Sequence, residues 1–430
     1  GSAVMTHQEA LSEVLEHVDP LEAVDAPLIE CAGQVIAEDV RSEHDLPMLD
    51  MCGPDGYAVR SEDIRGAGPG SPVTLHILGT NRAGCLPRRR LRPGAAIRVM
   101  TGSPLPAGAD CVVPFEKTDE PADKNGPNPR LPVQVRVFQA EEPGANVRPA
   151  GSNVTKGSLV LPRGVCVGPA QIAALGAIGR ATIKVIRRPT VAIVSTGDEL
   201  ISLGTTLKPG KSYDSNAAAI AALVAHYGAI PRVLGIARDS EASLAAKIGR
   251  GATADAIITS GGVSKGDYDL VRSVLGKMGR VVFSRIGMGP GASFAFGLVR
   301  RDQAGEGAPP VPLFALSGPP VGCLTNFETL VRPALLKMMG CHALSHPVVD
   351  AVAEDSSWAK KPMTFVKWTR LNASRGTHRV VLNTSDGLGP LAAMAAANSL
   401  TIIPQGTVVK QGDRVQVLPL DWTRDSRVAG

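Results

Sequence analysis

Residues 255–269 read Asp255-Ala-Ile-Ile-Thr-Ser-Gly-Gly-Val-Ser-Lys-Gly-Asp-Tyr-Asp269. The run Ala256-Ile257-Ile258 is short, wholly apolar and followed by turn formers, the pattern of a buried parallel strand. Thr259 to Gly266 are mostly small residues, which let backbone N–H groups come close to a ligand. Leu270 to Leu275 continue as a helix, so the loop falls where a strand passes into a helix N-terminus, a place that favours anions. Asp267 puts a carboxylate in the same loop, suited to a metal ion or a proton acceptor beside a bound phosphate.

Outward from this stretch the chain alternates strand and helix. Val191–Val194, Ala229–Leu234, Ala256–Ile258 and Pro312–Leu316 read as strands, and about 215–227, 240–250, 268–278 and 322–339 read as helices. That order predicts a parallel, doubly wound sheet. Ligands of such sheets bind beyond the carboxyl ends of the strands. Those ends read Ser195-Thr196-Gly197-Asp198-Glu199, Ala237-Arg238-Asp239, Thr259-Ser260-Gly261-Gly262 and Ser317-Gly318-Pro319-Pro320, all small, polar or acidic. Glu199, Asp239 and Asp267 lie at three of these strand ends and could supply oxygens for a hard cation. Each acid has a plainer reading as an N-cap or first-turn carboxylate.

The rest of the chain differs in texture. Thr6-His7-Gln8-Glu9 has the form of a capping box, with Leu11, Val14, Leu15 and Val18 at helical spacing behind it. From 48 to 150 short apolar runs alternate with Gly/Pro turns, as in Val73–Leu78, Ala96–Met100, Cys111–Pro114 and Val133–Val137, which predicts a small all-β domain. Pro169–Gly176 reads as a helix with proline at its start. A β-rich tail follows from 343, with Phe365–Thr369, Val380–Leu382 and Val415–Leu418.

Composition excludes several classes. The 430 residues exceed one ordinary core, and a net charge of +5 with 3% aromatics gives little basis for nucleic-acid stacking. Arg88-Arg89-Arg90-Leu91-Arg92 reads as a solvated loop. No apolar run approaches the ~20 residues of a membrane helix. No charged-then-apolar leader is seen, and the seven dispersed cysteines, without a C-x-x-C pair, suit reduced thiols, so a cytoplasmic location is expected.

With these segments assembled, the chain resembles the molybdopterin molybdenumtransferase family, MoeA in bacteria and the E domain of gephyrin. The resemblance rests on Asp55-Gly56-Tyr57-Ala58-Val59-Arg60, Arg98-Val99-Met100-Thr101-Gly102, Ser195 to Leu200, Tyr213-Asp214-Ser215-Asn216 and Ala237-Arg238-Asp239. Ser260 to Ser264 with Gly266-Asp267-Tyr268, and Phe294-Ala295-Phe296-Gly297, complete it. It implies a multidomain α/β plus β chain: an elongated discontinuous domain (1–47 and 151–187), a small β domain (48–150), a MogA-like α/β domain (188–342) and a C-terminal β-barrel-like domain (343–430).

The activity implied is insertion of molybdenum, or tungsten, from the oxyanion into adenylylated molybdopterin, with Mg²⁺ as cofactor and AMP released. Asp55, Glu199, Asp239 and Asp267 would be catalytic, Glu199 and Asp267 holding the metal. Thr101, Arg148, Thr196, Gly197, Ser260, Gly261, Gly262, Ser264, Gly318 and Pro320 would bind the substrate. The implied assembly is a homodimer in which Asp55 and Thr101 face the partner's sheet domain, and the upstream adenylylating protein is an expected partner. Asp55-Gly56 is also an ordinary turn pair.

The chain departs from the family where lysines are usual, at Gly289 and Ala292; Arg285, Lys265, Lys367 and Arg370 are the candidate replacements. Of the three arginines in the usual Arg-Arg-Arg-Gly-Glu-Asp only the first survives, as Arg148, and both acids are gone. The alternative function is a dimeric scaffold, or a protein that binds the pterin nucleotide and hands it on.

Overall fold

The computed structural model describes residues 4–120, 132–262, 268–301, 308–358, 363–374, 376–384 and 389–423. The chain divides into two compact units. The larger comprises 1–37, 164–168 and 182–430, and the smaller 38–163 and 169–181. The elongated domain expected from the resemblance (1–47 and 151–187) has residues in both units, and the four-part division is kept as a proposal.

In the smaller unit five strands lie in the order Cys111–Pro114, Gly56–Val59, Ala95–Val99, Val73–Asn81, Gln134–Val137. Alternation sends Tyr57, Val59 and Val113 into one core and Ala58 and Val112 into the other, so both faces are covered. The same unit holds the Leu159–Leu161 and Val40–Arg41 pair and the helix Pro169–Ala177.

The larger unit is built on a six-stranded sheet. Its order is Ile230–Ala237, Thr190–Thr196, Ala256–Ser260, Val311–Leu316, Ala295–Val299, Gly279–Ser284. The first four strands are parallel, as expected. Ala295–Val299 pairs antiparallel with both its neighbours, Val311–Leu316 and Gly279–Ser284, which the sequence reading did not anticipate. The chain between Ser284 and Ala295 doubles back instead of crossing through a helix, so those strands meet head to tail. Successive residues of the central strands serve opposite cores: Val191 and Ile193 pack with Ile220, Leu223 and Phe327, while Ala192 and Val194 pack with Leu244 and Ile248. A sheet buried on both faces needs apolar residues at every position, hence the unbroken apolar runs.

At the amino ends of the central strands Asp255, only 8% exposed, fastens the sheet. Its two oxygens accept from Arg187 Nη1 and Nη2, both at 2.7 Å, and Oδ2 also accepts from the Thr190 N–H and hydroxyl. The Asp255 N–H returns a bond to Thr190 O.

The helix His7–Glu16 opens on the full capping box, Thr6 with Glu9. The expected 322–339 helix begins instead at Pro320, because proline is pre-shaped for a first turn. It is interrupted by a π-turn, Phe327–Val331, before Arg332–Met338. The π-turn presents Glu328 to a buried set: Tyr227 Oη donates to Oε2 at 2.9 Å, His346 Nε2 lies 3.0 Å from Oε2, and Trp422 Nε1 donates to Oε1 at 2.8 Å.

Toward the carboxyl end, Val349–Ala353, Thr364–Ser374, Thr377–Val381, Ser399–Ile403 and Arg414–Pro419 form a sheet that closes on itself. Pairing of Thr364–Ser374 with Ser399–Ile403 completes the barrel. Met288–Gly289 adds beside Thr364–Phe365. No helix of the described residues is long and apolar enough to cross a membrane.

Burial pushes the Asp255 pKa up, but the Arg187 and Thr190 hydrogen bonds outweigh it and hold the carboxyl below its usual value. A depressed folded pKa contributes stability that is whole above the unfolded value of about 3.9 and lost as pH falls through the folded one. Asp255→Asn should therefore lower stability at pH 7 by about 1–3 kcal/mol. Urea titrations of the two proteins should converge below about pH 4; a gap that stays constant with pH would refute the assignment.

Candidate active site

The carboxyl ends of the four parallel strands open into a cleft of ≈ 980 Å³ within the larger unit. Register explains the meeting. Ser195 pairs with Ser260 across the two central strands, so Thr196 and Gly261 leave the sheet side by side. A Cβ on Gly261, whose φ is +81°, would lie 2.4 Å from Thr196 O, and this closeness requires glycine. Beside it the Glu199 carboxylate folds back over Gly197: a Cβ at Gly197 would stand 2.4 Å from Oε2.

The polar groups of the cleft are tied down. Ser195 Oγ donates to Asp214 Oδ1 at 2.7 Å, and the same oxygen caps the helix Ser215–His226 at Ala217 N. Asn216 Nδ2 donates to Gly318 O at 2.8 Å. Asp239 Oδ2 accepts the Asp198 N–H at 3.1 Å while Asp198 Oδ1 accepts the Asp239 N–H at 3.2 Å. Asp239 is thus not the cap of the helix Glu241–Gly251; Ser240 holds that place. The N-terminal residues of two helices, Ser215 and Asn216 of one and Pro320 to Gly322 of the other, face the cleft.

Asn326, fully buried, brackets two of the lining loops. Its Oδ1 accepts the Ser317 N–H at 3.1 Å and its Nδ2 donates to Gly291 O at 2.8 Å. Ser317 Oγ adds a bond to Ser293 O at 2.9 Å. The amide lies so close to Gly291, at φ +106°, that a Cβ there would be 2.5 Å from Nδ2.

Of the residues expected from sequence, Glu199, Asp239, Thr196, Gly197, Ser260, Gly261, Gly262, Gly318 and Pro320 line this one cleft. Ser264 and Asp267, with Lys265, lie outside the described residues. Asp55 and Thr101 meet each other in the smaller unit: Oδ1 of Asp55 accepts the Thr101 N–H at 2.7 Å and its hydroxyl at 2.9 Å. Arg148 is exposed in the same unit, on Val147–Arg148 paired with Met51–Cys52. Sequence reading did not single out Asp214 and Asn216 individually, although Asp before a helix is an N-cap signature, and it missed Asn326.

Electrostatically the described lining is one-sided, with Glu199, Asp214 and Asp239 and no lysine, arginine or histidine. Arg285 is exposed at φ +64°, and Lys367 Nζ donates to Asn383 Oδ1 at 2.6 Å in the barrel, where burial lowers its pKa and Asp355 opposes. Neither they nor Arg370 line the cleft. What the walls offer an anion is backbone N–H at helix starts and small-residue loops. What they offer a hard cation is carboxylate oxygen. No group of three or more potential metal ligands is pre-assembled among the described residues.

Asn326→Leu keeps the volume but leaves the Ser317 N–H and Gly291 carbonyl unpaired. Stability should fall by about 1–3 kcal/mol, and amide exchange should rise together in 289–293 and 316–320. Faster exchange in only one loop would show that Asn326 is not the bracket.

Residues 5–179 match the family described as MoeA N-terminal region (domain I and II), and residues 192–337 that described as probable molybdopterin binding domain. Molybdopterin molybdenumtransferase 2 of Mycobacterium tuberculosis H37Rv is 35% identical over 426 residues, 97% of this chain and 99% of that protein. The molybdopterin molybdenumtransferase of Bacillus subtilis 168 is 33% identical over 389 residues, 89% and 86% of the two chains. A solved molybdopterin biosynthesis MoeA protein of Pyrococcus horikoshii superposes with a TM-score of 0.80 at 30% identity, covering 97% of this chain and 99% of that one. With both halves matched and relatives aligned nearly end to end, the chain belongs to the molybdopterin molybdenumtransferase family.

Proposed function

We propose that this protein carries out the metal-insertion step of molybdenum cofactor biosynthesis, placing molybdenum on molybdopterin. The observation that carries the reading is the cleft itself, formed mainly in the segment matched as a molybdopterin binding domain, from four small-residue strand ends and two helix starts, with Pro390 and Leu391 joining the lining.

In finer terms, the substrate is adenylylated molybdopterin, with molybdate or tungstate as the incoming oxyanion and AMP as leaving group. The substrate phosphates lie against the start of the helix beginning at Pro320, which has no side-chain cap, and beside that of Ser215–His226, whose Ala217 N–H Asp214 already holds. Mg²⁺ belongs to the same reading, and the donor set suits it. Such an ion takes one or two carboxylates plus water and phosphate oxygens, so a pre-assembled cage is not needed. Glu199, stacked over Gly197, would hold it with Asp267, and it would neutralise charge on the phosphoanhydride. Asp239 is oriented by the Asp198 N–H. Asp55, Thr101 and Arg148 enter the proposal as residues of a homodimer; sedimentation giving only a 44.6 kDa species at micromolar concentration would remove that part.

The test is AMP release from adenylylated molybdopterin with and without molybdate. Glu199→Gln should reduce molybdate-dependent release about 10-fold or more while leaving the fold unchanged; full turnover would exclude it as a ligand. Binding of the pterin nucleotide without release in the parent protein would instead indicate handover.

The two positions that depart from the family's lysines are not equivalent. Ala292 lines the cleft, whereas Gly289 is buried, and a Cβ there would already be 3.2 Å from Met363 Cε and the Phe365 ring. Ala292→Lys alone therefore restores a cation to the cleft. A charge-assisted contact of about 1.5–3 kcal/mol should lower the molybdate KM roughly 10- to 100-fold. An unchanged KM would mean that the oxyanion is held elsewhere.

A further inference from the structure

Cys166 and Cys341 lie outside the cleft lining and stand far apart in sequence. Cys166 sits in 164–168, a segment that packs in the larger unit although the residues on both its flanks belong to the smaller one. The segment runs antiparallel to 33–36. The Ile36 N–H donates to Val165 O at 2.9 Å and the Val167 N–H to Gln34 O at 2.8 Å. Val35 and Cys166 therefore oppose each other as the closer, non-hydrogen-bonded kind of pair, with side chains on one face.

Two contacts show where that face looks. A Cβ on Gly340 would lie 3.7 Å from Val35 Cβ. A Cβ on Gly164, in the turn that leads into Cys166, would lie 3.3 Å from His342 Nε2. Both contacts fall on the turn Gly340-Cys341-His342 that ends the helix Arg332–Met338. There the Gly340 and Cys341 N–H groups donate to Lys337 O and Leu336 O, and Gly340 has φ +79°. The face that Val35 and Cys166 share is thus the one set against the turn that carries Cys341. Burial raises the Cys341 thiol pKa most, the charge of Cys166 adds to it, and Arg332 opposes. Cys166 is exposed and Cys341 partly so, unlike the buried Cys31, Cys52, Cys111 and Cys323. The trio with His342 is not arranged as a metal site among the described residues.

We propose that Cys166 and Cys341 form a thiol pair that closes to a disulfide by exchange with a low-molecular-weight disulfide, RSSR. The Cys166 thiolate attacks one sulfur of RSSR, forming Cys166–S–SR and releasing RS⁻. The Cys341 thiolate then attacks the Cys166 sulfur, forming the Cys166–Cys341 bond and releasing the second RS⁻. The protein loses two electrons and two protons, and RSSR becomes two RSH. The bond staples the crossing segment 164–168 to the end of the Arg332–Met338 helix.

Oxidised glutathione is the probe, with alkylation of remaining thiols, proteolysis and mass spectrometry as readout. The intact chain should lose two of its seven thiols to a peptide linking Cys166 with Cys341, reversibly with dithiothreitol. Cys341→Ser should stop at a stable glutathione adduct on Cys166, and Cys166→Ser should give no link. Exposed Cys85 serves as the internal control that forms an adduct without closing. A wild-type chain that accumulates the Cys166 adduct as Cys341→Ser does, or one whose Cys166 stays free while Cys85 reacts, overturns the proposal.

Discussion

The fork of Arg187 on Asp255 sets the level of the whole parallel sheet. Because Asp255 also takes the Thr190 N–H and returns its own to Thr190 O, the two central strands start in step. Strands that start in step and run parallel end in step, which is why Ser195 meets Ser260. A slip by one residue would turn every side chain to the other face and take Thr196 away from Gly261. The position of the cleft is thus fixed by an ion pair at the opposite end of the strands. The pair's geometry is bidentate and mostly buried, the arrangement in which Arg–carboxylate contacts are strongest.

A second connection runs along the helical stretch from Pro320 to Met338. Its first turn lines the cleft, Asn326 holds two of the cleft loops, and Thr325 Oγ1 accepts from Trp368 Nε1 of the barrel at 2.9 Å. One turn further, Glu328 collects Tyr227, His346 and Trp422. An extra residue in the π-turn shifts which side chains face which neighbour. Here that places Asn326 toward the cleft and Glu328 toward the buried aromatic set within a single element. Cleft, sheet and barrel in the larger unit are therefore braced by one rod.

Much of this was legible from residue pattern. The capping box at Thr6, the four parallel strands and most of the helix positions follow from periodicity and turn chemistry, and nine expected site residues share the cleft. The reversed strand Ala295–Val299 was not legible, because a short apolar run carries no mark of direction. Asp255 opened the decisive stretch, yet its partner Arg187 is remote in sequence and nothing local announces the pair. Asn326 left a faint trace, a poor helix former in an apolar helix. Gly289 and Ala292 look alike as missing lysines, and only packing separates a buried position from a cleft-facing one.

The division of the chain has a consequence for its birth on the ribosome. The smaller unit is complete by residue 181, whereas the larger one begins at residue 1 and is finished only near the end. Helix His7–Glu16 finds its seat late: Leu15 O accepts from Lys337 Nζ, and the Leu21 N–H donates to Met338 O. At ordinary synthesis rates the interval between them is on the order of tens of seconds. Through that interval Leu11 and Val14 of the helix, and Val18 just after it, wait for most of the core that covers them. A segment made early is thus among the last to be buried, so a window for chaperone capture lies on Leu11, Val14 and Val18.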